Sequence, residues 1–216
     1  MSEMIRRLEL GCWFDFFAGP HAERYGFLHL SSAEDYGDCL NLLRDLSREP
    51  TWEADTLRLL GQRNWRGHLP ACLSIYLSGF GPTRPTLSQA LWKTVERRSW
   101  VAPQLLCVLS EIDPDFGRNA ASLVCCDWDT KTDITAAYMG KVANSLRTFS
   151  EMKVWDAGQE LDSRLAVLAT QDVDSADQIV KEWLPNLRAL GEAFPETRAS
   201  RASDLPNKTG TSEPTP

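Results

Sequence analysis

Four side chains near the amino terminus, Cys12, His21, His29 and Cys39, are of the types that zinc prefers as ligands. Their spacings contain no Cys-x-x-Cys or His-x-x-x-His clamp, and Cys39 falls on the apolar stripe of a predicted helix, so no metal is assigned to them. Asp127, Asp129 and Asp133 flank Trp128 and offer the oxygen ligands of a hard cation. The same residues read more simply as an acidic connection between two helices, with Asp133 as the N-cap of the second. The segment from Gly79 to Pro85 holds two glycines and an arginine but no P-loop lysine, and it reads as a turn. All three histidines precede residue 69 and no Ser-His-Asp or Cys-His grouping stands out, so acid-base chemistry would fall to carboxylates. No residue is assigned a catalytic role, and no cofactor is implied.

What must position any site is a repeat. Trp65 and Trp100 stand 35 residues apart, and the same offset joins Pro50 to Pro85, Thr51 to Thr86, Arg63 to Arg98 and Cys72 to Cys107. Conservative matches follow in the same register: Arg58 with Lys93, Leu60 with Val95, Leu73 with Val108 and Leu77 with Ile112. A period of this size marks stacked helical pairs, because one unit cannot cover its own apolar face. Each copy reads as helix A, a corner and helix B. Thr51 and Thr86 are expected N-caps of the A helices, Thr86 with Gln89 forming a capping box. Pro50 and Pro85 separate the units, since a proline disfavours helix in the residue before it. Helix A runs to about Arg63 or Arg98, an Arg-x-Trp triplet makes the corner, and the B helices span 68 to 78 and 101 to 112.

Ser31 and Glu34 stand at capping-box spacing ahead of an apolar stripe of Tyr36, Cys39, Leu42, Leu43 and Leu46, which predicts half of a degenerate first unit. Asp113-Pro114 predicts a helix to about Cys126, and further helices are expected over 133–152, 160–170 and 175–194. Residues 164–170 could equally form a buried strand, and Pro185 should kink or split the last helix. Residues 1–30 read as strands or short helices capping one end, 31–194 as the helical domain, and 195–216, almost without large apolar residues, as a disordered tail.

Composition narrows the class. With 216 residues and 43% hydrophobic content, the chain can fill one core without metals or crosslinks. No apolar run approaches the roughly 20 residues that span a bilayer, and the charged start followed by an interrupted aromatic run makes a poor signal peptide. Cys72 and Cys107 recur as small hydrophobes on helix faces, and adjacent Cys125 and Cys126 are not at ordinary disulfide spacing. The expectation is therefore a cytoplasmic protein with free thiols. The net charge of −7 resides on the body, since Arg198, Arg201 and Lys208 balance Glu196, Asp204 and Glu213 in the tail.

The Pro-Thr pairs before the A helices and the aliphatic stripes resemble HEAT-like helical repeats over residues 50–113 and, more loosely, over 31–194. The resemblance implies an all-α fold, a short α-solenoid of antiparallel helix pairs, and a scaffold or partner-binding role with B helices lining a concave face. Repeated residues then serve structure: Trp65 and Trp100 should be buried corner packers, and Arg63 and Arg98 should bond helix-end carbonyls or neighbouring carboxylates. Specificity should reside where the copies differ, at Arg66, His68, Tyr76, Glu111 and Asp113. The expected function is a non-enzymatic module offering an acidic groove to a partner protein, in its narrowest form an immunity or antitoxin-type inhibitor of a basic toxin. Nucleic acid is disfavoured by the net charge, yet Arg58, Arg63, Arg66, Lys93, Arg97 and Arg98 concentrate positive charge along the A helices and corners, so nucleic-acid binding or modification is the alternative. A metal-assisted hydrolase using Asp127, Asp129 and Asp133 is the third reading.

Overall fold

A computed structural model describes residue 30 and residues 43–79, 84–126 and 132–193, and among them every regular element is helical. The zinc-type quartet, Asp127 and Asp129, the cap segment before Leu30, the start of the first expected helix and the tail lie outside the described residues.

Four helices occupy the residues over which the offset of 35 was read. The first two are α1 (Trp52–Gly61) and α2 (His68–Ser78), joined by a 3-10 turn over Trp65–Gly67. The next two are α3 (Pro85–Glu96) and α4 (Ala102–Ile112). Subtracting the offset of 35 places α3 at 50–61 and α4 at 67–77, within two residues of α1 and α2. Helices pack within pairs, α1 on α2 and α3 on α4, and also like on like, α1 against α3 and α2 against α4. Ahead of them, a helical turn over 43–46 buries Leu43 and Leu46. After the pairs come α5 (Phe116–Cys125), α6 (Asp133–Glu151), α7 (Gly158–Ala169) and α8 (Ala176–Ala193). Helix α7 lies on α6, and α8 lies across both α4 and α6.

Helix α2 explains this arrangement. Every residue from His68 to Leu77 is buried, so the helix has no solvent face and sits at the centre. Helix α4 is buried from Ala102 through Leu109 and is covered by α8. Each fully buried leucine or valine in these helices contributes about 1.5–3 kcal/mol relative to exposure, so covering both faces outweighs leaving one open as a groove. Several of the polar groups inside are satisfied locally. Trp52 Nε1 donates to Ser74 Oγ at 2.8 Å, and Ser74 donates in turn to the carbonyl of Leu43 at 3.0 Å. Thr94 Oγ1, 2.7 Å from the carbonyl of Ala90, also reaches that of Leu60 at 3.1 Å and ties the end of α1 to α3.

Several boundaries differ from expectation, each for a local reason. Thr51 makes no side-chain cap, and α3 begins at Pro85, so Thr86 is already inside the helix and its capping box with Gln89 does not form. Proline at the first helical position lacks the N–H that a cap would serve. Thr86 instead donates to Glu53 Oε1 at 3.1 Å, and Arg84 pairs with the same carboxylate, which joins the starts of α1 and α3. Asp113 stands one turn before α5 rather than at its N-cap. Thr132, not Asp133, caps α6 by accepting from the amide of Thr135 at 3.3 Å. Residues 164–170 belong to helix α7 and its C-cap, not to a strand. Pro185 sits inside an unbroken α8. No helix among the described residues is long and apolar enough to cross a membrane.

Candidate anion-binding cleft at the helix corners

Where the two Arg-x-Trp corners meet, a cleft of about 710 Å³ opens, lined by Arg63, Trp65, His68, Arg97, Arg98 and Trp100 together with the end of α1 and with Thr94 and Ser99. A cavity of this size suits a small ligand or a few residues of a partner. The two indoles touch, with ring centroids 4.9 Å apart and planes tilted by 46°. Arg66 lies over the Trp65 ring at 4.8 Å, and Lys141 from α6 lies over the Trp100 ring at 5.3 Å. Lys141 is buried, pairs with Asp174 and reaches the carbonyl of Trp100 at 3.3 Å. The result is a wall of alternating cations and rings, fixed from outside the repeat by α6.

The tryptophans therefore share a corner but not the expected burial. Trp65 is half-buried and Trp100 is 51% exposed, because each leans on the other across the unit boundary instead of into its own unit. Trp100→Ala is accordingly expected to cost about 1–2 kcal/mol in urea unfolding, well short of the loss for a core tryptophan.

Arg63, Arg97 and Arg98 are exposed at the rim, and none of their side chains makes a hydrogen bond or ion pair among the described residues. The predicted ladder of arginines on carbonyls and carboxylates is absent. Arg98 also has φ 66°, the left-handed conformation that follows many helix ends and that glycine adopts without steric cost. A readable signal preceded this. Three and four residues before Arg97 stand Thr94 and Lys93, and before Arg98 stand Val95 and Thr94, so neither arginine has a carboxylate at helical spacing.

His68 forms the floor. Its Nε2 lies 3.0 Å from the carbonyl of Gln62, an acceptor only, so Nε2 carries the proton and Nδ1 accepts from Ser99 Oγ at 2.8 Å. Burial, with the nearby Arg97 charge, holds its pKa below the usual value against the opposing hydrogen bond to Gln62. Both nitrogens are committed, so the ring has none to offer a ligand. A depressed folded pKa means that the unfolded chain binds the proton more readily. The stability His68 contributes is complete above about pH 6.5 and is lost as pH falls below that value. Urea unfolding of His68→Gln is expected to show a shallower loss between pH 6.5 and the acid limb than the parent protein.

The other sequence-chosen residues are drawn elsewhere. Tyr76 is 2% exposed and its hydroxyl abuts Gly191 of α8, so no partner can reach it. Glu111 accepts from Arg188 Nε at 2.7 Å, again on α8. Asp113 accepts from Trp92 Nε1 at 2.6 Å, Asn119 Nδ2 at 2.9 Å and the amide of Asp115 at 3.0 Å. Helix α8 thus lies where an open acidic groove was expected along the B helices, and of the five residues Arg66 and His68 belong to the cleft region. Cys72 and Cys107 are free and buried, and burial pushes both thiols well up, which leaves them unreactive packing groups. Among the described residues no three His, Cys, Asp or Glu side chains gather as a metal site, and Asp133 is an exposed residue in the first turn of α6.

A second groove, of about 750 Å³ beside α6 and α7, has committed charges: Arg147 pairs with Glu151 at 3.0 Å, Asp156 accepts from the amide of Gly158 and Asp162 from Ser150. The corner cleft differs in that the side chains of Arg63, Arg97 and Arg98 make no ion pair among the described residues. No protein-family model, curated protein or solved structure matches this chain, so the likeness to HEAT-like repeats gains no support from relatives.

Proposed function

We propose that the protein is a non-enzymatic binding module of stacked helix pairs, and that it engages an acidic segment of a partner protein through the corner cleft. The carrying observation is the set of three rim arginines without carboxylate partners, on a chain of net charge −7. Three cations at one opening whose side chains make no ion pair among the described residues favour a bound anion there, and Glu96, next in the chain to Arg97, offsets only part of that charge. The one hydroxyl-imidazole pair at the cleft, Ser99 Oγ on His68 Nδ1, is buried beneath the rim and its second imidazole nitrogen is held by the carbonyl of Gln62, an arrangement that suits packing more than proton transfer and supports binding over catalysis. The charge expected of the partner is reversed from the sequence reading: basic toward this chain's groove becomes acidic toward its corner. Nothing found favours an immunity-type inhibitor over other partner-binding roles.

Intrinsic tryptophan fluorescence supplies the test, because Trp65 and Trp100 border the opening. Titration with oligoglutamate, oligolysine and oligothymidylate is expected to give saturable, salt-sensitive binding of oligoglutamate alone. Arg97→Gln should weaken it by about 1 kcal/mol, roughly fivefold, as an exposed ion pair would. Binding of oligolysine instead would restore the acidic-groove reading, and tight binding of oligothymidylate would transfer the site to nucleic acid.

A further inference from the structure

We infer that the group seated in the corner cleft is a phosphorylated side chain of the partner, not a plain carboxylate; the inference rests on reading the cleft as a partner-binding anion site. The argument begins with charge and valence. A carboxylate brings one negative charge and two oxygens, whereas a phosphomonoester brings about −1.5 to −2 and three acceptor oxygens. Arg63, Arg97 and Arg98 bring three planar guanidiniums, each able to fork onto phosphate oxygens. One carboxylate would leave most of that charge uncompensated.

A separate observation concerns Arg98. Its left-handed backbone at the end of α3 carries a conformational cost that glycine would avoid. The C-terminal end of a helix dipole favours a nearby cation, but Arg97 at the C-cap already supplies one. Dipole compensation does not call for an arginine in the strained position, nor for Arg63 from the other unit at the same opening. Glycine is the usual residue at this position after a helix, and Arg98 stands there instead with its side chain at the cleft.

The wall speaks against nucleic acid as the source of phosphate. Single-stranded nucleic acid gains much of its affinity by stacking bases on aromatic rings. Here each indole has a cation over it and the other indole against it, so a base would compete with contacts already formed. A net charge of −7 also repels an extended polyanion more than it repels one phosphate on a peptide.

Full-length protein titrated with peptide pools of degenerate flanks and a fixed central phosphoserine, glutamate or serine tests this directly. The phosphoserine pool is expected to bind about tenfold more tightly than the glutamate pool. Arg63→Gln and Arg97→Gln should each lower that affinity, and Arg98→Gly should lower it while raising the melting temperature. A merely structural Arg98 would not separate the two readouts. Equal binding of the glutamate and phosphoserine pools would overturn the phosphate inference and leave the acidic-segment reading standing. Failure of both pools to exceed the serine pool, with the fold intact, would overturn both. Tighter binding of oligothymidylate than of any peptide would show the partner class to be wrong, and full displacement by inorganic phosphate at equal concentration would show a free-phosphate site instead.

Discussion

Trp183→Ala is expected to cost about 3–5 kcal/mol of unfolding free energy, the range for deleting a fully buried large aromatic. Trp183 is 1% exposed on α8, the helix that crosses α4 and α6 and closes the side of the molecule where the sequence placed a groove. For a domain of this size the loss corresponds to a fall of about 10 °C in Tm. Urea unfolding checks it, and an unchanged m-value would show that one cooperative unit still unfolds. A loss below about 1 kcal/mol would mean that α8 does not belong to the core, and the buried setting of Tyr76 would fall with it.

Gly140→Ala is expected to destabilise by about 3 kcal/mol, although alanine in a helix ordinarily gains about 1 kcal/mol over glycine. The sign reverses because a Cβ at residue 140 would stand 2.4 Å from the amide nitrogen of Asp172 and 2.4 Å from the carbonyl carbon of Gln171, both backbone atoms. The connection that must retreat carries Asp172, whose Oδ2 accepts from the amide of Ala176 at 2.7 Å and from Asn144 Nδ2 at 2.7 Å, and so starts α8. Gly61 is the internal control: nothing lies within 4 Å of its added Cβ, and Gly61→Ala in α1 should hold or raise stability. Chemical denaturation of the two variants side by side is the measurement. Equal stabilities would show that α6 and the connection before α8 are not in backbone contact.

The sequence by itself determined the helices and their order. Apolar side chains at spacings of three and four place α1 to α4 within a few residues, because helical periodicity is a local property of the chain. Cys72 and Cys107, read as small hydrophobes on helix faces, are both buried. Helix caps were legible only to within a turn, since Thr86 had Glu53, a residue of another unit, available as a better partner for its hydroxyl. What covers an apolar helix was not legible in this way. The segment from His68 to Ser78 contains no Asp, Glu, Lys or Arg, a composition that signals burial on every side but does not name the covering element. Only the tertiary structure brought α8 onto α4, turned Tyr76 inward and spent Glu111 on Arg188, 77 residues away. It also brought Arg63 beside Arg97 and Arg98, because a shared cleft between two corners depends on how the units pack, and no spacing within either unit encodes that.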